Sequence, residues 1–181
     1  VTGAAIRALA ELFGSARARD YLGEPVTIAA HLLQAGALAR TDGAPPALVA
    51  AALLHDVGHV RGADPDQHGE RDEHGERGAA WLSAWFGEPV TEPVRLHVAA
   101  KRYLCAVEPS YFALLSPASL RTLSAQGGPL SAARAREFEA LPYAADAVAV
   151  RRWDDQAKAP AVAVPDFGYF VPLLEGLLRD G

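Results

Sequence analysis

An all-α fold is predicted for this 181-residue chain, and three observations predict it. Apolar residues recur three and four positions apart over most of its length. Alanine, the best helix former, is abundant. No stretch alternates apolar and polar residues for long enough to make a strand.

The elements follow in order. Ile6, Leu9, Leu12 and Phe13 give one apolar face to a helix over 3–19, weakened at Gly14. Residues 20–25 read as a turn, punctuated by Gly23 and Pro25. A helix over 25–40 has Pro near its first turn and Asp42-Gly43 to close it. Pro45-Pro46 opens a third, running to about His59, which is apolar nearly all round and therefore the candidate buried centre. Residues 61–73 form a polar loop, long enough for a compact domain to suggest a function. Helices are expected over 73–86 and 89–107, with short pieces over 111–115 and 117–125. A turn at Gly127-Gly128-Pro129 precedes helices over 131–139 and 141–153. A loop over 155–168 and a last helix over 171–178 complete the chain. With no internal repeat and no linker, one domain over 1–181 is expected.

Composition narrows the function. Half the residues are apolar, enough to bury a core. The 17 basic and 22 acidic side chains leave a net charge of −5, which argues against a nucleic-acid-coating surface but permits a local basic pocket for a small anion. The lone Cys105 makes no intramolecular disulfide or zinc finger and reads as a packing residue. The longest apolar stretch, 47–54, is far shorter than the roughly 20 residues a membrane helix needs. No charged-then-apolar leader is apparent, so a cytoplasmic protein with no membrane partner is expected. The sequence sets no oligomeric state.

The histidines and aspartates carry the chemistry. His55-Asp56 lie near the end of the apolar third helix, where an ionised carboxylate is rare unless paired or bound to metal. Adjacent helix residues point about 100° apart, so the two cannot stack, yet both can converge on an ion beside the helix. His59 lies one turn beyond His55. His31, His74 and His97 sit on other predicted helices, and Asp154 follows Trp153 near the end of another. Neutral imidazoles with carboxylates are a ligand set for iron, zinc or manganese. The alternatives at this point are ordinary hydrogen-bonded core histidines and a solvated His-Asp pair that stops a helix.

The order His31, His55-Asp56, Asp154 resembles the HD-domain superfamily, a helical bundle whose H…HD…D ligands hold a metal. His74 and His97 in between resemble its dinuclear variety, which implies that Asp56 bridges two ions. By that resemblance His31, His55 and Asp154 complete one ion's ligands and His74 and His97 the other's. The match narrows to the HD-type diiron oxygenases that cleave organophosphonates. It is carried by Tyr21-Leu22-Gly23-Glu24, by residues 50–59 ending in His55-Asp56-Val57-Gly58-His59, and by His97-Val98-Ala99-Ala100-Lys101-Arg102-Tyr103-Leu104. It continues through Leu115-Ser116-Pro117-Ala118-Ser119 with Thr122, Gln126-Gly127-Gly128-Pro129 and Arg151-Arg152-Trp153-Asp154. The similar region runs from about Asp20 to Lys158. Gly78-Ala79 after His74 keeps the family spacing, which favours His74 over His68; the latter reads as solvated in an acidic loop. Trp153 sets the register that selects Asp154 over Asp155.

The resemblance implies an O2-dependent dioxygenase with a mixed-valent Fe(II)/Fe(III) pair. Its substrate would be a 1-hydroxyphosphonate, oxidised at C1 so that a carboxylate forms and phosphate leaves. A C–P bond carries no easily expelled group, so an oxidative route replaces simple attack by water. Lys101, one helical turn after His97, would supply charge to the phosphonate. His59, Ser119, Gln126 and Arg151 match the family's phosphonate-contacting positions, and Thr122 joins them. The resemblance also implies that Tyr21 occupies an open iron position when substrate is absent. Glu24 would meet the substrate's amino end, which favours 2-amino-1-hydroxyethylphosphonate or an N-methylated relative. Two other functions remain for an HD chain. A dinuclear phosphohydrolase acting on a phosphate ester would gain nothing from Tyr21, and a non-catalytic module would be expected to have lost a ligand.

Overall fold

The computed structural model describes residues 2–61 and 73–179. In chain order the elements are α1 (Thr2–Gly14), a 3-10 turn (Arg17–Arg19), α2 (Ile28–Thr41), α3 (Pro46–Leu54), α4 (Val57–Arg61) and α5 (His74–Leu82). There follow α6 (Glu88–Val107), a second 3-10 turn (Tyr111–Leu114), α7 (Pro117–Ala125), α8 (Ala132–Glu139), α9 (Ala144–Gln156) and α10 (Phe167–Glu175). The fold is all-α, and among the described residues the sole β pairing is an isolated bridge between Phe86 and Leu178. No described helix is long and apolar enough to cross a membrane.

Helix α3 is the centre, as its uniformly apolar sequence requires. Val49 through Leu54 are all buried. They pack with Leu32 and Ala35 of α2, Val90 and Val94 of α6, Val150 and Trp153 of α9, and Phe170 and Leu174 of α10. Each fully buried Leu there contributes about 1.5–3 kcal/mol relative to an exposed one. Trp153 also donates its indole N–H to Asp42 Oδ2 at 2.7 Å, which ties α9 to the end of α2.

Capping residues explain where the observed elements depart from the expected ones. Thr27, not Pro25, opens α2, because its hydroxyl accepts from Ala30 N at 3.2 Å. Asp166 caps α10 by accepting from Tyr169 N, so that helix begins at Phe167 and takes Pro172 into its interior. The run expected over 3–19 ends at Gly14 and resumes as a 3-10 turn. Helix α5 stops at Leu82, short of the expected Phe86, and α9 starts at Ala144 and reaches Gln156. The run expected from Pro45 to His59 is interrupted at His55-Asp56, with a tight Asp56 C=O to His59 N–H bond of 3.0 Å at the junction. At this break His55 Nε2 faces His31 of α2 at 3.1 Å and Asp56 Oδ1 faces His74 of α5 at 3.1 Å. Residues 62–72, which hold most of the expected long loop and His68, lie outside the described residues.

The approach of α4 to α5 depends on Gly58. A Cβ on Gly58 would stand 1.9 Å from the carbonyl oxygen of His74, a contact no side chain can make. Gly75 plays the same part on the next interface, where a Cβ would meet the Arg95 and Val94 carbonyls at 3.1 and 3.2 Å. Gly58→Ala should therefore lower stability by about 1–3 kcal/mol, seen as a lower denaturation midpoint. Gly3→Ala, which would meet nothing within 4 Å, should leave stability unchanged or slightly raised.

Candidate metal centre

Five helical elements bring six ligand-type side chains together. His31 comes from the middle of α2, and His55 and Asp56 from the break after α3. His74 is the first residue of α5, His97 lies on α6 and Asp154 on α9. His31, His55, His74, His97 and Asp154 are buried.

Asp56 divides the cluster into two groups. Its Oδ2 lies 3.6 Å from His55 Nε2 and 3.9 Å from His31 Nε2. Its Oδ1 lies 3.1 Å from His74 Nε2 and 3.3 Å from His97 Nε2. Asp154 Oδ1 adds a carboxylate oxygen to the first group, 3.3 Å from His31 Nε2. The groups His31–His55–Asp56 and Asp56–His74–His97 each gather their donor atoms within 4.8 Å of one another.

Hydrogen bonds behind the cluster fix which ring nitrogen faces it. His31 Nδ1 donates to Ala157 O at 2.9 Å, His55 Nδ1 to Ala52 O at 2.8 Å and His97 Nδ1 to Val94 O at 2.7 Å. Each Nε2 lone pair is thereby turned inward, as metal-ligating histidines require. Facing Nε2 atoms then crowd: His31 and His55 at 3.1 Å, His74 and His97 at 2.8 Å. A proton or a metal cation must lie between such lone pairs. Asp56 Oδ1 is buried and, among the described residues, finds no hydrogen-bond partner. Two carboxylates and four imidazoles of this kind fit divalent or trivalent cations, and the shared Asp56 fits two of them.

The electrostatics point the same way. Burial pushes the His55 imidazolium pKa down to about 4, which keeps the ring neutral and ready to ligate. Burial opposes ionisation of Asp56, yet the imidazoles of His55 and His74 hold it well below the usual carboxylate range. Burial likewise opposes ionisation of Asp154, and the Arg151 guanidinium overcomes it. Burial disfavours the charged form of His31, but the Asp154 carboxylate beside it raises its pKa. The pocket around His31 thus favours a positive charge, whether proton or metal.

Beside the cluster opens a cavity of about 80 Å³. His59, Lys101, Ser119, Thr122, Gln126, Arg151 and Glu24 all line it, together with four of the ligand-type residues and Asp154. His59 stacks on His74 with ring centroids 3.9 Å apart. Lys101, only 3% exposed, donates to Thr122 Oγ1 at 2.8 Å. Arg151 Nη1 donates to Asp154 Oδ2 at 2.5 Å and Nη2 to Ser119 Oγ at 3.3 Å. The guanidinium therefore occupies one oxygen of Asp154 and leaves the other toward His31. Tyr21 is not among the residues lining the cavity: in the turn closed by Ile28 N–H to Asp20 C=O, Leu22 and Glu24 line it and Tyr21 is 64% exposed.

Three participants were missed in the sequence. Asp155 pairs with Arg151, and Tyr111 donates to Asp155 Oδ2 while accepting from Arg151 Nε at 2.9 Å. The four-residue spacing from Arg151 to Asp155 was the available signal; Tyr111, in a 3-10 turn far along the chain, had none. Lys158 reaches into the same cavity from the loop after α9.

Residues 28–118 match the HD domain family. Over 162 residues the chain is 42% identical to a [1-hydroxy-2-(trimethylamino)ethyl]phosphonate dioxygenase (glycine-betaine-forming) of Leisingera caerulea, covering 88% of this chain and 83% of that one. Over 168 residues it is 42% identical to a hydroxymethylphosphonate dioxygenase of Gimesia maris, with 89% and 82% covered. An uncharacterised protein of Acanthamoeba polyphaga mimivirus is 32% identical over 184 residues, with 95% and 80% covered.

Because Asp56 serves both ligand groups, Asp56→Ala should empty both, whereas His74→Ala should empty mainly one. Elemental analysis of the purified variants checks this, and full metal content in Asp56→Ala would rule out a shared ligand.

Proposed function

The chain belongs to the HD-domain family, and on that premise we propose that it is an O2-dependent dioxygenase cleaving the carbon–phosphorus bond of a 1-hydroxyphosphonate. The products are a carboxylate and phosphate, with one O2 taken up per bond broken. The observation that carries this reading is the pairing of two ligand groups that share Asp56 with a cavity lined by the cations Lys101 and Arg151. The names of the 42% identical relatives support the same chemistry. Two iron ions, in the mixed-valent Fe(II)/Fe(III) state, would be held by His31, His55, Asp56, Asp154 and by Asp56, His74, His97. Bound there, they would supply the redox change that activating O2 and oxidising C1 requires.

The protein's own side chains bind and orient. The phosphonate dianion belongs near Lys101 and Arg151, whose charges are desolvated and already held in place by Thr122 and Ser119. Preorganised donors of this kind need not reorganise when charge moves from carbon to phosphate oxygen. Ser119, Thr122 and Gln126 offer further polar contacts, and His59, fixed by its stack on His74, lies within reach of the same group. Arg151 serves twice, since it also orients Asp154. The Tyr111–Asp155 pair in turn holds the guanidinium in one pose. The apolar side chains of Leu22, Val26, Ile28 and Val98 line the remaining wall and limit water at the reacting carbon. The cytoplasm is the proposed place of action, where the free thiol of Cys105 stays reduced.

Oxygen uptake and phosphate release should rise together when the iron-loaded enzyme meets hydroxymethylphosphonate or its 2-amino homologue. Equal phosphate release under nitrogen would identify a hydrolase instead. The zinc-loaded protein should be inactive, because zinc has no accessible redox change. Lys101→Ala should keep its metal and lose a charge-assisted contact worth roughly 1.5–3 kcal/mol, about a ten- to hundredfold drop in kcat/KM. Loss of metal from that variant would place Lys101 among the structural supports of the centre.

A further inference from the structure

Lys158 and Glu24 are the charged lining residues of the cavity with no part above in binding the metals or the phosphonate. The backbone of Lys158 is fixed by its neighbour, since Ala157 O accepts the His31 Nδ1 proton at 2.9 Å. Its Nζ donates to Glu24 Oε1 at 2.8 Å, to Ser119 Oγ at 3.0 Å and to Ser116 Oγ at 3.4 Å. Glu24 Oε1 also accepts from Ser116 Oγ at 2.6 Å. The Lys158 and Glu24 side chains are only 14% and 17% exposed, so water screens the pair weakly.

This pairing changes what Glu24 offers to a substrate. A lone Glu24 carboxylate would attract an ammonium group at C2. With Lys158 on it, the carboxylate is neutralised, and a substrate cation meets a second cation a few ångströms away. Setting aside the ligand carboxylates, the cavity lining carries Lys101, Arg151 and Lys158 against Glu24 alone, an excess that suits a dianion without a positive group. The names of the two relatives differ in whether the substrate carries such a group, one being named for a trimethylamino compound and the other for the hydroxymethyl compound, so identity of 42% to each does not choose between them.

We propose that Lys158 is a specificity-determining residue, which pairs with Glu24 and selects 1-hydroxyphosphonates that carry no cation at C2, such as hydroxymethylphosphonate. This rests on the hydroxyphosphonate reading above. The mechanism of selection is repulsive as well as competitive: an ammonium must break the Lys158–Glu24 pair and then tolerate Lys158 beside it.

Binding tests it apart from turnover. Metal-loaded protein is titrated calorimetrically under nitrogen with hydroxymethylphosphonate and with 2-amino-1-hydroxyethylphosphonate. The wild type should bind the hydroxymethyl compound more tightly. Lys158→Met should shift the ratio of dissociation constants toward the amine by about tenfold or more, as expected for removing a like charge at close range. Lys158→Gln should shift it the same way if the methionine variant folds poorly, and Lys158→Arg should keep the wild-type order. An unchanged ratio in both neutral variants, a wild type that already prefers the amine, or binding of neither compound overturns the proposal. Oxygen-dependent phosphate release is measured in parallel. Its absence beside the expected shift in binding would remove the oxygenase reading and leave the role of Lys158 standing.

Discussion

Asp56 is a carboxylate held between four imidazoles, and the arrangement of the molecule follows from holding it there. Burying an isolated carboxylate costs several kcal/mol, and the fold offsets that by surrounding it with groups that favour its charge. Each oxygen serves one group: Oδ2 faces His31 and His55, Oδ1 faces His74 and His97. Four separate helices must converge within a few ångströms of one side chain for this to happen. That requirement accounts for the break in the central apolar helix at His55-Asp56, and for glycines where α4 meets α5 and α5 meets α6.

Around that centre the charges are laid out in sequence. The ligand carboxylates lie at the metal end, with Arg151 bound to one of them. Arg151 is fully desolvated yet raised in pKa, since Asp154 and Asp155 outweigh the burial that opposes its charge. Removing one partner from such a network would leave a buried charge uncompensated, far more costly than losing a surface ion pair. Lys101 and Arg151 line the cavity beside the cluster, and Lys158, paired with Glu24, shares Ser119 Oγ with Arg151. One small cavity so brings together a His and Asp cluster suited to metal ions, two buried cations and a Lys–Glu pair.

The all-α class and the buried central helix were legible in the sequence, because each leaves a pattern of its own, helical apolar spacing and an uninterrupted apolar run; His and Asp residues in apolar company marked the side chains that gather in one cluster, while their order as a ligand set came from the resemblance to the HD family. Helix ends were less legible. Thr27 and Asp166 act through single hydrogen bonds that compete poorly, as signals, with nearby prolines. The interruption at His55-Asp56 leaves no mark in a run that is helical in character on both sides. Tyr21 and Glu24 read as a pair in sequence, yet neighbours in a turn point different ways, and the structure turns Glu24 in and leaves Tyr21 out. Lys158 stands in an Ala- and Pro-rich loop, where no periodicity says which way a side chain points. Its contact with Glu24 spans 134 positions, a distance that pattern alone does not bridge.

The proposal that Asp56 joins two irons in one centre is open to a direct spectroscopic measurement. Iron-loaded, partly oxidised protein examined by electron paramagnetic resonance at low temperature should give the signal of an exchange-coupled mixed-valent pair, with average g below the free-electron value and two irons per chain. Addition of hydroxymethylphosphonate should perturb that signal. An isolated high-spin ferric signal with one iron per chain would contradict a shared Asp56 and the oxygenase chemistry built upon it.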